Sequence, residues 1–305
     1  MKNIFPEGVW PVMLTPFTED NKVDYIALEK LINWYIENGA AGLFAVCQSS
    51  EMFQLTLDER KKISRFVKQC AGKTPVISSG HISDSFEDQI RELNEISETG
   101  IDALILITNR LAGEEENDDI LLGNLDKLIA RLPNIPLGFY ECPYPYKRII
   151  SPKVAKYCAD QGSFHFIKDT SCDIGSIEDK LRITKGSEVK LYNANTATLL
   201  ASLKLGAAGY SGVMANFHPM LYKWLVDNYE KFPDKAEKLQ RVLTMCSLIE
   251  LRNYPVNAKY MMQLCNNGFT LQTRKLDCAT LDYVHKEEVN QLIALSEDLL
   301  QCIFK

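Results

Sequence analysis

The sequence predicts an α/β protein, a (β/α)8 TIM barrel followed by a C-terminal helical extension, on three observations. Short apolar runs alternate with helical patterns about eight times along the chain, which is the rhythm of βα units. A barrel takes roughly 230 residues, and the 305 residues present leave a tail. From residue 234 that tail is rich in leucine, methionine and glutamate and has no strand-like run, so helices are expected there. The expected organisation is a catalytic barrel over residues 1–230 and a helical region over 231–305 packed on it, since no Gly/Ser-rich linker separates them. A doubly wound open sheet is the alternative architecture.

Taken in order, the first strand is expected over residues 8–14, an unbroken apolar run but for Pro11. A helix follows over 24–38, with apolar residues at helical spacing and Gly39 at its end. The next strands are read at 42–46, 74–79, 102–107 and 135–140, each pair separated by a helical stretch. The sixth strand runs up to Lys168, the seventh covers 189–192 and the eighth 209–214.

Composition bounds the function. A formal net charge of −6 without Lys/Arg blocks argues against a nucleic-acid or membrane-surface partner. No stretch at the amino terminus has signal-peptide length and none elsewhere approaches a membrane span, so a cytoplasmic location is expected. The nine cysteines form no Cys-x-x-Cys pair, and their odd number suits reduced thiols. His81, His165, His218 and His285 never stand at metal-ligand spacing, so neither a metal nor any other cofactor is predicted.

Lys168 closes the apolar run Phe164-His165-Phe166-Ile167 and opens the polar run Asp169-Thr170-Ser171, which places it at a strand's C-terminal end. Parallel barrels carry their catalysis at that end, and an amine walled by apolar groups loses its proton more readily. Such a lysine attacks ketones to form Schiff bases; an ordinary solvated lysine past a strand is the alternative. Tyr140 ends the preceding strand in the same way, as a second reactive group facing the same mouth or a strand-end aromatic packed under a loop.

Four features in order then resemble the dihydrodipicolinate synthase/N-acetylneuraminate lyase family. Gly42-Leu43-Phe44-Ala45-Val46-Cys47-Gln48-Ser49-Ser50-Glu51 is similar to the family's second-strand loop, and Tyr140-Glu141-Cys142-Pro143 to its Tyr-Asn-x-Pro. Ile167-Lys168-Asp169-Thr170-Ser171 resembles its lysine string, and Leu205-Gly206-Ala207-Ala208-Gly209 its last-strand Leu-Gly-Ala-x-Gly. The resemblance covers essentially the whole chain. It implies a pyruvate-type Schiff base on Lys168, a proton relay through Tyr140, and a homo-oligomer, tetramer or dimer. It also implies that Gln48 and Ser49 bind the carboxylate of a 2-oxo acid, with Glu51 bracing their loop.

Departures from the family pattern narrow the activity. The synthase branch has an arginine five residues after the tyrosine, where this chain has Pro145, and a relay tyrosine within a Pro-Tyr-Tyr string that here reads Thr108-Asn109-Arg110. The sialic-acid branch has an Asp-Glu pair after strand seven; here Asn193-Ala194-Asn195 stands there, so Asn193 and Asn195 are read as binders of substrate hydroxyls or as a turn and helix cap. Arg110 is read as a selector of acidic substrates, the alternative being a surface arginine paired with Glu114-Glu115-Glu116. The leading expectation is a class I lyase or aldolase on pyruvate or a related 2-oxo acid. A 2-keto-3-deoxy acid dehydratase, a synthase-like condensation and a non-catalytic sensor are the alternatives.

Overall fold

The computed structural model describes residues 5–303. Its strands are β1 (Gly8–Val9), β2 (Leu43–Phe44), β3 (Val76–Ser78), β4 (Ala103–Ile107), β5 (Leu137–Tyr140), β6 (Phe164–Asp169), β7 (Lys190–Asn193) and β8 (Gly209–Tyr210). Between them run α1 (Tyr25–Glu37), α2 (Leu57–Cys70), α3 (Phe86–Ser97), α4 (Asp118–Ile129), α5 (Pro152–Gln161), α6 (Ile174–Thr184) and α7 (Leu199–Lys204), and α8 (Pro219–Asn228) follows β8. All neighbouring strands are parallel, in the order β1-β8-β7-β6-β5-β4-β3-β2. The two ends of that order meet: Val12 bridges Phe44, and the Phe44 amide donates to Pro11 O at 3.0 Å. The sheet is therefore a closed barrel and not an open one.

Several strands are shorter in the ladder than their apolar runs. In the predicted 8–14 run the ladder holds only Gly8–Val9, because Pro11 has no N–H to give. The run then changes edges, the Trp10 amide donating to Tyr210 O of β8 (2.8 Å) and the Met13 amide to Phe44 O of β2 (3.1 Å). In the predicted eighth strand, Val213–Asn216 coil into a 3-10 turn. Gly209 explains how β1 and β8 come together: a Cβ there would lie 1.9 Å from Gly8 O, at a φ of +151°.

Helix starts follow local chemistry. Asp24 caps α1 by accepting from the amides of Ile26 and Ala27, both at 3.0 Å, and Thr56 with Glu59 forms a reciprocal capping box on α2. Inside the barrel, aromatic side chains form a floor below its carboxyl-end mouth. Phe166 stacks on Tyr192 at 4.3 Å between centroids, and Trp10 meets both edge-on. Phe44 lies against Phe166 and Tyr140.

The tail consists of α9 (Pro233–Cys246), a 3-10 turn at Ser247–Leu251, α10 (Val256–Leu264) and α11 (Tyr283–Ile303). Gln240 of α9 ties it to the barrel, accepting from the Leu200 amide (3.0 Å) and donating to Thr196 O (2.7 Å). No helix among the described residues is long and apolar enough to cross a membrane.

Candidate active site

Tyr140 of β5 and Lys168 of β6 are register partners at the carboxyl end of the barrel. Because side chains alternate along a strand, Phe166 and Lys168 share the inner face while Ile167 and Asp169 face the helices. Lys168 is only 5% exposed, with its Nζ 4.1 Å from the Tyr140 ring centroid and 5.7 Å from that of Phe44. Among the described residues no carboxylate pairs with this amine. Burial holds its pKa below the ordinary lysine value, with the nearby thiols of Cys47 and Cys142 and the carboxyl of Glu250 opposing that shift. The Tyr140 hydroxyl donates to Gln48 Oε1 at 3.3 Å, and burial pushes its pKa well above 10.

The loop after β2 supplies the next wall. Gln48–Ser50 form a 3-10 turn in which the Ser50 hydroxyl donates to Cys47 O (2.6 Å) and accepts from the Cys47 amide (2.8 Å). Cys47 has φ −152° and ψ −170°, extended backbone open to any residue, so the loop closes without glycine there. Gln48 and Ser49 begin the turn, and the Ser49 and Ser50 amides turn towards the Cys47 thiol. The left-handed position falls on Glu51, at φ +60°. That strain is held by Lys259 Nζ (2.6 Å), Thr273 Oγ1 (2.7 Å) and the amides of Arg274 (2.6 Å) and Lys275 (2.9 Å), all donated to the Glu51 carboxylate from the tail.

These groups surround one cavity of about 280 Å³. It brings together Lys168, Tyr140, Gln48, Ser49 and Asn195 of the residues expected from sequence. Asn193 and Arg110 are not among its lining residues. Asn193 is fully buried, donating to Thr198 Oγ1 (2.9 Å) and Ser202 Oγ (3.0 Å) and accepting from the Asn195 amide (2.8 Å). It braces the turn that carries Asn195, whose own Oδ1 accepts from the Thr198 amide (3.1 Å).

Arg110 points elsewhere because it ends a 3-10 turn, Thr108–Arg110. Its Nη1 pairs with Asp84 at 2.9 Å and its guanidinium lies over Phe53, so neither the cavity nor Glu114–Glu116 is its partner within the chain. The work at this strand end is done by Asn109, whose amide donates to the carbonyls of Cys142 (2.7 Å), Tyr144 (3.0 Å) and Tyr146. This fixes the proline-bearing loop after β5, from which Pro143 and Lys147 reach the cavity.

Sequence reading missed the tail's share of the wall: Glu250, Tyr254, Pro255 and Lys275. Tyr254 hydrogen-bonds with the Ser49 side chain and accepts from Asn216 Nδ2 at 3.1 Å. The string Asn253-Tyr254-Pro255 is a turn signal, but only the tertiary fold says which turn reaches the mouth. Also missed was a buried cluster behind the site. Lys180 of α6 reaches Glu141 Oε1 and Asp169 Oδ2, both at 2.5 Å, one residue beyond Tyr140 and Lys168. Burial and the neighbouring Asp169 raise Glu141 to about 7 against the pull of Lys180.

Fold and cavity together define a class, the parallel (β/α)8 barrels with a buried lysine at the carboxyl-end mouth. More narrowly, the chain belongs to the dihydrodipicolinate synthetase family, whose sequence profile matches residues 5–295. A 4-hydroxy-tetrahydrodipicolinate synthase of Methanococcus aeolicus is 30% identical over 85% of this chain and 89% of its own length. One from Clostridium perfringens is 25% identical over 85% and 88%. Among solved structures, a dihydrodipicolinate synthase of Thermotoga maritima superposes with a TM-score of 0.85 at 20% identity, covering 96% of this chain and 99% of that one. A prophage protein of the same family from E. coli, solved in complex with pyruvate, gives 0.83 at 22% identity over 96% and 98%. At those identities the structures speak for the fold.

Proposed function

We propose that this protein is an aldolase or lyase that holds pyruvate, or a related 2-oxo acid, as an imine on Lys168. The observation that carries the reading is the buried, unpaired amine of Lys168, in register with Tyr140 and sharing one cavity with Gln48 and Ser49. Desolvation leaves the amine a larger neutral fraction to attack the ketone. Gln48 and Ser49 receive the carboxylate, and Tyr140 relays the protons given up by the amine to the ketone oxygen, which leaves as water, and itself ends as the neutral phenol. Asn195 is assigned to a substrate hydroxyl, with Asn193 supporting it from behind. Arg110 keeps a role in substrate selection only as a contact across a subunit boundary.

The aldehyde half meets the mouth where Lys147 and Lys275 stand. The relatives named synthases fit a condensation, but this chain has Pro145 in place of the arginine of that branch, which favours another acceptor. Incubation with a panel of 4-hydroxy-2-oxo acids, read by mass spectrometry, tests the reading. Pyruvate release marks the lyase, loss of water without carbon–carbon cleavage the dehydratase, and no turnover of any member would remove the assignment. A chelator is expected to leave the rate unchanged, the iminium serving as electron sink.

Tyr140→Phe keeps the ring over Lys168 and deletes the donor, so turnover is expected to fall by a factor on the order of 10² or more. Wild-type turnover in that variant would make the tyrosine structural. Assembly into a homo-oligomer belongs to the same proposal. Met245, Leu248 and Leu251 form an exposed apolar strip on the tail, and sedimentation would show whether copies pair. Cytoplasmic residence is supported by nine unpaired cysteines.

A further inference from the structure

Glu250 lies on the tail's 3-10 turn and lines the cavity that holds Lys168. Other carboxylates around the site have partners: Glu51 has Lys259, while Glu141 and Asp169 share Lys180. For Glu250 there is no hydrogen bond or ion pair among the described residues, yet it is close enough for its charge to act on Lys168. A half-buried carboxyl left without a partner costs stability, which is accepted where the group meets a ligand. Tyr140 stays a neutral phenol near neutrality, its pKa being held well above 10 by burial, so it offers no ionised base to a carbon-bound proton.

We infer that Glu250 is the base that takes a proton from C3 of the Lys168-bound imine and returns it to the new hydroxyl after carbon–carbon bond formation. This rests on the imine reading above. In the first step the C3–H bond breaks, its electron pair forms the C2–C3 double bond, and the iminium nitrogen takes up the displaced pair. The products are a neutral enamine and a protonated Glu250. In the second step the enamine carbon attacks an aldehyde, the iminium re-forms, and Glu250 gives its proton to the alkoxide. Cleavage runs the same steps backwards, so one carboxyl serves both directions and no further reactant is needed.

Burial raises Glu250 to about 7, so it is ionised above that pH and acts as a base near neutrality. The charge of Lys168 on β6 opposes that rise. Tyr210 on β8, Tyr222 on α8 and Tyr254 on the tail also feel Glu250, but their phenols are pushed upward by burial and stay neutral in this range. Lys147, Lys275 and Cys172 stand around the same cavity.

Pyruvate alone is the probe. In deuterium oxide the wild-type protein is expected to exchange the methyl protons of pyruvate, followed by NMR, at a rate climbing through about pH 7 as Glu250 ionises. Glu250→Gln should lower the exchange by on the order of 10² or more. Borohydride trapping of pyruvate should persist in that variant. The Glu250 charge raises the pKa of Lys168, so its removal leaves more neutral amine and not less. Retained trapping also reports that the variant has folded. Wild-type exchange in Glu250→Gln, or a limb near pH 7 that survives the substitution, overturns the role of Glu250 and leaves the imine intact. A flat wild-type profile does the same without any variant. Failure of the wild-type protein to trap pyruvate instead removes the imine reading, and this inference with it.

Discussion

Lys168→Ala is expected to abolish borohydride trapping of pyruvate and to reduce turnover to the background rate. In the wild-type protein, peptide mapping should find the reduced adduct on Lys168. The argument is chemical: an imine needs a primary amine with a free electron pair, and Lys168 is the buried amine without a carboxylate partner in this cavity. Lys180 and Lys259, buried nearby, are bound to acids. Lys168→Arg separates nucleophile from charge, because a guanidinium keeps the positive charge but stays protonated. It should be as inactive as the alanine variant. Trapping that continues in Lys168→Ala would sink the mechanism, and activity in Lys168→Arg would make the residue an electrostatic anchor.

The second large effect concerns folding. Lys180→Met should destabilise the protein by about 3–5 kcal/mol, the usual cost of removing one partner from a buried ion cluster. Glu141 and Asp169 would then face each other without their cation, while Glu141 still accepts from the amides of Ile150 (2.8 Å) and Thr170 (2.7 Å). The effect depends on pH in a definite direction. Glu141 already has a folded-state pKa near 7, above its unfolded value of 4.5. The folded state therefore binds more protons across that interval, and stability falls as pH rises through it. Without Lys180 the shift grows, so the deficit should be largest above pH 7 and shrink on acidification towards 4.5. Urea midpoints at several pH values measure this; a variant within 1 kcal/mol of wild type at pH 8 would show that the cluster has relaxed or taken in water. Removing all three charges together should restore much of the loss.

The placement of Lys168 and Tyr140 at one mouth was legible because it is local. Lys168 and Tyr140 each end an apolar run, and in a parallel barrel the end of a run is the mouth. Strand existence was legible for the same reason, whereas strand length was not: Pro11 divides one run between two neighbours, and residues 213–216 leave the ladder for a turn. For Arg110 the strand-end position did not give the side chain's direction within the chain, because a single 3-10 turn carries it towards Asp84. Glu250, Tyr254 and Lys275 were out of reach for a different reason. They lie on short segments between the α-helices whose destination depends on how the tail helices dock, which no local period encodes.

Glu51 joins two histories in one carboxylate. On the barrel side it ends the turn bearing Gln48 and Ser49; on the tail side it receives Lys259, Thr273 and the amides of Arg274 and Lys275. The barrel wall and the tail wall of the cavity are thus written in separate stretches of sequence and fastened at a single knot. The division is not complete, because Glu250 and Tyr254 of the tail also reach the cavity, beside Lys168 and Ser49. Any change in the tail must therefore still present a cation and two amides to Glu51, or the turn bearing Gln48 and Ser49 loses its anchor.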